Sequence, residues 1–149
     1  MTHEVFARCL FGLVIASITL TAGLSVGDEP EEAAAEVLRG RVELTLGDDD
    51  KSAVVLKTKD GKLTPLVEDT RGRAFRKDPR LRKMDVELTV RRSPQENAVN
   101  VLAVRELAKD GSKYEVDYWC SICSIAMFEL KECECCQGEI ELRKQKVEE

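Results

Sequence analysis

A chain of 149 residues, 43% apolar and 34% charged, has room for one ordinary domain and an appendage, and its composition excludes wholesale disorder. A formal net charge of −5 argues against general affinity for nucleic acid, so any anion-binding role must come from a local patch.

The first 27 residues read as a signal peptide. Met1 to Arg8 carries one arginine, Cys9 to Val26 is an uncharged apolar run, and Ser25-Val26-Gly27 places small residues ahead of Asp28. That run has 18 residues, which leaves an uncleaved membrane anchor as the second reading. The chain is therefore expected to be exported, either periplasmic or secreted, or held at a membrane. His3, the single histidine, and Cys9 fall in this segment. The mature chain then has no imidazole for general-base work and keeps five cysteines within residues 120–136, an odd number that cannot all pair within one chain.

Residues 28–40 read either as a short acidic helix, with Pro30 at its start and Gly40 as its C-cap, or as an acidic linker. From Arg41 the apolar period becomes two. Val42, Leu44 and Leu46 share one face until Gly47 to Asp50 break the strand. Residues 53–58 and 62–67 flank Asp60-Gly61, which suits a two-residue hairpin. A polar, basic stretch over 68–83 contains a short helical turn around Pro79 to Lys83. Strands follow over 86–90 and 99–107, and the Asp110-Gly111 turn leads into a strand over Tyr114 to Trp119. Three strands, a helical interruption and further strands predict a mainly β fold, a small OB-like five-stranded barrel over 41–118. Residues 119–149 form a four-cysteine tail ending in a short strand and a frayed end.

The tail carries the chemistry. Cys120-Ser-Ile-Cys123 is followed after nine residues by Cys133-Glu-Cys135-Cys136-Gln-Gly138. Each C-x2-C lets a tight turn aim two thiolates at one point, and two such turns complete a tetrahedral S4 site for Zn2+ or Fe. In the first reading Cys120, Cys123, Cys133 and Cys136 hold one Zn2+ and Cys135 stays free, the metal supplying folding energy that a tail with few apolar side chains needs. In the second, the same thiols form disulfides in an oxidising compartment, although C-x2-C pairs close loops poorly. In the third, Trp119-Cys120-Ser-Ile-Cys123, resembling the thioredoxin motif and followed by an apolar stretch Ile125 to Leu130 able to form a helix, serves redox chemistry or metal transfer with Cys135 as the reactive thiol.

Cys120-x2-Cys123 with Cys133-x2-Cys136-x-Gly138 resembles the paired knuckles of zinc ribbons and rubredoxins, and the resemblance carries the ligand role onto those four cysteines only. Cys135 inside the second knuckle, the nine-residue spacer and the lack of a glycine directly after Cys136 depart from that pattern. The wider run from Leu66-Val-Glu-Asp-x-Arg-Gly72 through Tyr118-Trp-Cys-x-x-Cys123 to Cys135-Cys-Gln-Gly-x-x-Glu-Leu142 is similar to small exported planctomycete proteins, which implies export and a shared architecture.

A second candidate site is basic: Arg71, Arg73, Arg76, Lys77, Arg80, Arg82 and Lys83, with Arg91 and Arg92 beyond them. Lying across one barrel face these could hold a polyanion; spread along a solvated loop they would only balance the acidic stretches. Phe75 alone offers a ring for base stacking, which disfavours nucleic acid. No Ser/His/Asp, Cys/His or phosphate-loop arrangement occurs. The expected role is thus an exported non-enzymatic binding or scaffold module with a structural four-cysteine zinc site, its partner a protein or a polyanion. The alternative is an exported thiol-redox or metal-handling protein using Cys135.

Overall fold

Alternating side chains carry residues Glu36–Leu46 as one long strand, β1, which bends across two neighbours. It pairs antiparallel with β2 (Ser52–Thr58) through Gly40 to Leu46, and with β4 (Val86–Arg92) through Glu36 to Gly40. The computed structural model describes residues 34–46, 52–94 and 97–148. The expected signal peptide and the first part of the 28–40 segment lie outside the described residues. No helix among the described residues is long and apolar enough to cross a membrane. Gly40 is not a helix cap: it lies inside β1 where the strand changes partner, and a Cβ there would sit 2.2 Å from the Lys57 carbonyl oxygen. Close backbone approach, which only glycine permits, explains the residue. Of the three apolar residues expected to share a face, Val42 is buried, whereas Leu44 and Leu46 run past the core and are exposed.

The remaining strands are β3 (Leu63–Pro65), β5 (Val99–Leu107), β6 (Lys113–Cys120), β7 (Ile125–Met127) and β8 (Glu141–Lys146). They join one antiparallel eight-stranded sheet in the order β3-β2-β1-β4-β5-β6-β7, with β8 added to β6. The OB-like five-stranded barrel expected over 41–118 is therefore corrected: the sheet is not closed. β5 pairs with β6 only where Arg105 to Leu107 meet Lys113 to Glu115; farther along that edge β6 takes β7, while β8 lines its other edge from Tyr114 to Trp119. At the other end β3 is three residues long and stops at Pro65, which has no N–H to donate. A lone parallel bridge, Leu66 to Val99, with Val67 N donating to Val99 O at 2.9 Å, is the approach between these ends.

Both Lys-Asp-Gly sequences make the same turn. Gly61 N donates to Thr58 O and Gly111 N to Ala108 O, each at 3.0 Å, while Thr58 N and Ala108 N close back onto Lys62 O and Ser112 O. Only the glycine of each turn has positive φ, +84° and +87°. The expected two-residue hairpin becomes a three-residue loop with a glycine bulge, because the aspartate is spared the left-handed conformation that the tighter turn demands.

Between β3 and β4 the basic stretch forms more helix than expected. Asp69 caps α1 (Thr70–Lys77) by accepting from Arg71 N and Gly72 N, both at 3.0 Å. α1 turns Ala74 and Phe75 inward, onto a core of Leu56, Val86, Leu88, Val90 and Val99. Asp78 ends α1 and caps the one-turn α2 (Pro79–Arg82), accepting from Arg80 N at 2.9 Å, and it also accepts from the Tyr118 hydroxyl at 2.9 Å. This buried carboxylate joins the helical segment to β6, the strand that leads into the cysteines.

Candidate metal centre

β6 ends at Cys120, and the chain reverses over 121–124 to return as β7, with Cys120 opposite Ile125. The first C-x2-C is thus the tip of a β-hairpin. The stretch Ile125 to Leu130, read from sequence as able to form a helix, opens instead with this short strand. The second knuckle is a loop turn that repeats the first one's backbone. Ser124 N donates to Cys120 O at 2.8 Å, and Gln137 N to Cys133 O at 2.9 Å. Ser124 and Gln137, each directly after the second cysteine of its pair, have φ of 54° and 58° and are the non-glycine residues with positive φ among the described residues. A left-handed residue is what a knuckle needs at this point, so the missing glycine changes the strain and leaves the turn intact. Ser124→Gly is expected to raise stability by about 1 kcal/mol by relieving a left-handed serine, read as a shift in urea midpoint with metal content unchanged.

The Sγ atoms of Cys120, Cys123, Cys133 and Cys136 all lie within 4.8 Å of one another, with Cys120 Sγ and Cys136 Sγ 3.5 Å apart. A tetrahedron with Zn–S bonds of about 2.3 Å has edges of about 3.8 Å, so the cluster fits a single tetrahedral ion. Cys120 and Cys133 are buried, Cys123 and Cys136 half-buried, and all four carry free thiols. The first cysteine of each pair receives backbone N–H groups from its own turn: Cys123 and Ile122 donate to Cys120, and Cys136 and Cys135 to Cys133. For Cys133 these amides bring the thiol down to about 7. For Cys120 the Cys123 amide pulls downward, but burial and the thiols of Cys133 and Cys136 carry it upward overall. Cys123 is pushed up, first by the neighbouring Cys135 thiol and then by Cys136 and burial. Thiols this close resist ionising together, and a divalent cation among them reverses that resistance. Gly138 packs beneath, where a Cβ would stand 3.3 Å from both Cys136 Sγ and Ile122 Cδ1. Cys135 is exposed, beside Cys123 and outside the four-thiol set.

The loop between the knuckles is fastened to α1, which no sequence pattern signalled. Glu129, 3% exposed, accepts from Arg73 Nε and Nη2 at 3.0 and 3.1 Å and pairs with Lys77 Nζ at 2.7 Å. Phe128 lies under Arg71, whose guanidinium carbon is 3.7 Å from the ring centroid. The rest of the basic set is held elsewhere. Arg76 grips Glu68 and Ser52, Arg80 pairs with Asp78, and Arg82 donates to the carbonyls of Phe75 and Arg76. Lys83 ends α2 and is exposed. Arg91 is half-buried on β4, and Arg92 pairs with Glu36. Of the aromatic residues, Tyr118 is buried against Asp78, and Trp119 is covered by Arg143 of β8, which also pairs with Asp117.

Arg73 first, and then Lys77, bring the Glu129 carboxyl down to about 2 against the opposing effect of its burial. Its ordinary value is 4.5, so a depressed folded pKa gives stabilisation that is complete above that value and fades as pH falls toward 2. The stake is at most about 3 kcal/mol. Urea unfolding followed from about pH 5 to pH 2 should show this loss, and Glu129→Gln should flatten that part of the profile.

No family profile, curated protein or solved structure matches this chain. The four-cysteine geometry accordingly carries the functional reading.

Proposed function

We propose that the protein is an exported, non-enzymatic binding or scaffold module whose C-terminal segment is organised by one Zn2+ held by Cys120, Cys123, Cys133 and Cys136. The observation that supports it is the pair of matching turns that converge four thiols within 4.8 Å of one another. An S4 donor set closed on all four corners has no open position for substrate or water, which is the mark of a structural centre. Bound there, the ion supplies electrostatic and folding energy to a segment that is otherwise poor in core.

Native mass spectrometry of the full chain, isolated without added metal, tests this reading. One zinc per chain and four thiols protected from alkylation are expected, with Cys135 modified readily. A metal-free chain that binds no added Zn2+ would sink it, and an iron mass would keep the site but change the ion.

A second reading, metal or thiol handling, is favoured by one observation, the exposed Cys135 beside Cys123. An extra thiolate at the edge of an S4 site can take over one bond during exchange. Under that reading Cys135→Ser leaves metal content intact and slows zinc transfer to a chelator several-fold; an unchanged rate confines Cys135 to the surface.

A further inference from the structure

Within the basic stretch, three cations differ from the rest in what they hold. Arg76, Arg80 and Arg82 are tied to groups of their own helical segment or of β2. Arg71, Arg73 and Lys77 instead face the inter-knuckle loop. The fork of Arg73 and the ammonium of Lys77 surround both oxygens of Glu129, and Arg71 is stacked on Phe128 with no ion pair among the described residues. A guanidinium fork with an adjacent ammonium and a further guanidinium stacked on a ring beside them is the donor arrangement that binds tetrahedral oxyanions. Of the nearby carboxylates, Asp69 accepts from the α1 amides and Asn100, and Glu68 from Arg76, and neither hydrogen-bonds the side chain of Arg71 or Lys77, although Asp69 and Glu115 act on Arg71 through their charge. Glu129 is the acid that fills the site, and it arrives on a loop bounded by Cys123 and Cys133.

We propose that Arg71, Arg73 and Lys77 form a binding site for the sulfate or phosphate groups of a polyanion, and that Glu129 occupies it as a built-in competitor positioned by the cysteine centre. While the knuckles hold the loop, the site is self-filled and the acidic chain binds polyanions weakly. When the centre opens, Glu129 and Phe128 withdraw and the site becomes available. Because linkage is reciprocal, a polyanion that takes the site must loosen the metal by the same factor that the metal weakens the polyanion. The Glu129 contact stands on its own geometry; only the dependence on the knuckles rests on the zinc reading.

Fluorescence anisotropy of the full chain, with heparin oligosaccharide and inorganic polyphosphate as separate probes at fixed low salt, tests both parts. Metal-loaded Glu129→Gln should bind at least one probe about tenfold more tightly than the unaltered chain, in the usual range of intramolecular coupling. Adding Arg73→Glu to that variant should abolish the gain. Tightening with heparin alone identifies a sulfated partner, and with polyphosphate alone a phosphorylated one; either supports the site. Glu129→Gln that keeps its metal and binds neither probe more tightly overturns it. Should that variant lose its fold, Glu129→Asp carries the comparison, since shortening the side chain also weakens the Arg73 fork, and unchanged binding overturns the site in the same way. Removing metal from the unaltered chain should reproduce the tightening; if Glu129→Gln tightens and metal removal does not, the site stands and the knuckle control falls.

Discussion

Cys133→Ser should release the metal and unfold the segment from residue 120 to 138 while the sheet from β1 to β5 persists. Cys133 is fully buried, its thiol is brought down to about 7, and two backbone amides point at it, so a hydroxyl in its place leaves those amides without a thiolate to stabilise. Structural zinc contributes on the order of 10 kcal/mol or more to small modules at neutral pH, far beyond what the few apolar side chains of this segment can replace. The readout is twofold: loss of one metal mass in native mass spectrometry, and fast amide exchange confined to the knuckles, β7 and the loop bearing Glu129. Cys135→Ser, in the same experiment, should leave both signals unchanged. A Cys133→Ser chain that retains its metal would place the ion elsewhere.

Asp78→Ala should be among the most damaging single changes away from the cysteines, at about 3 kcal/mol, because it removes the α2 cap and leaves the buried Tyr118 hydroxyl without its acceptor. One carboxylate, on a residue 1% exposed, caps α2, pairs with Arg80 and accepts from the Tyr118 hydroxyl. Its pKa is lowered, with burial opposing and the Arg80 side chain leading the groups that hold the charge. Removing it orphans the Tyr118 hydroxyl two residues before Cys120. Asp78→Asn keeps an oxygen for the cap and the hydroxyl and should cost less than half as much. Urea unfolding of both variants checks the ordering, and equal losses would mean that the charge, rather than the hydrogen bonds, sustains the junction.

What could be read from the residues follows the range over which each signal acts. The four-cysteine cluster was legible because a C-x2-C turn is local: both of its cysteines and the turn between them lie within a few positions. Strands β4 and β6 were legible for the same reason, through alternation, and β2 and β5 through the turns that bound them. The helix α1 was not, because Arg71, Arg73, Arg76 and Lys77 mask its apolar stripe, leaving Ala74 and Phe75 as the inward pair. Gly40 is open to a reading as a cap because a glycine that ends a helix and one that lets a neighbouring strand's backbone come close look alike without the partner strand. Barrel closure is a long-range property. It depends on how far β5 stays paired with β6, and that is settled only where Tyr118 to Cys120 turn back and take β7 on the same edge. Glu129 gave no local sign, since its partners are 56 and 52 positions away on α1.

The order in which the chain is made gives β8 a particular place. β6 is bordered by β5 and β7 on one side and by β8 on the other, where Tyr114 to Trp119 meet Glu141 to Lys146. Cys136, the last of the four clustered cysteines, leaves the ribosome before any of β8 does, so under the proposed zinc reading the thiols can come together while one edge of β6 is still bare. Delay between these two events exposes an unpaired strand beside the gathered cysteines, the kind of edge on which nascent chains stick to one another. The few residues from Gln137 to Ile140 set how brief that exposure is, and lengthening them should lower the soluble yield during synthesis without altering the metal held by the chains that escape.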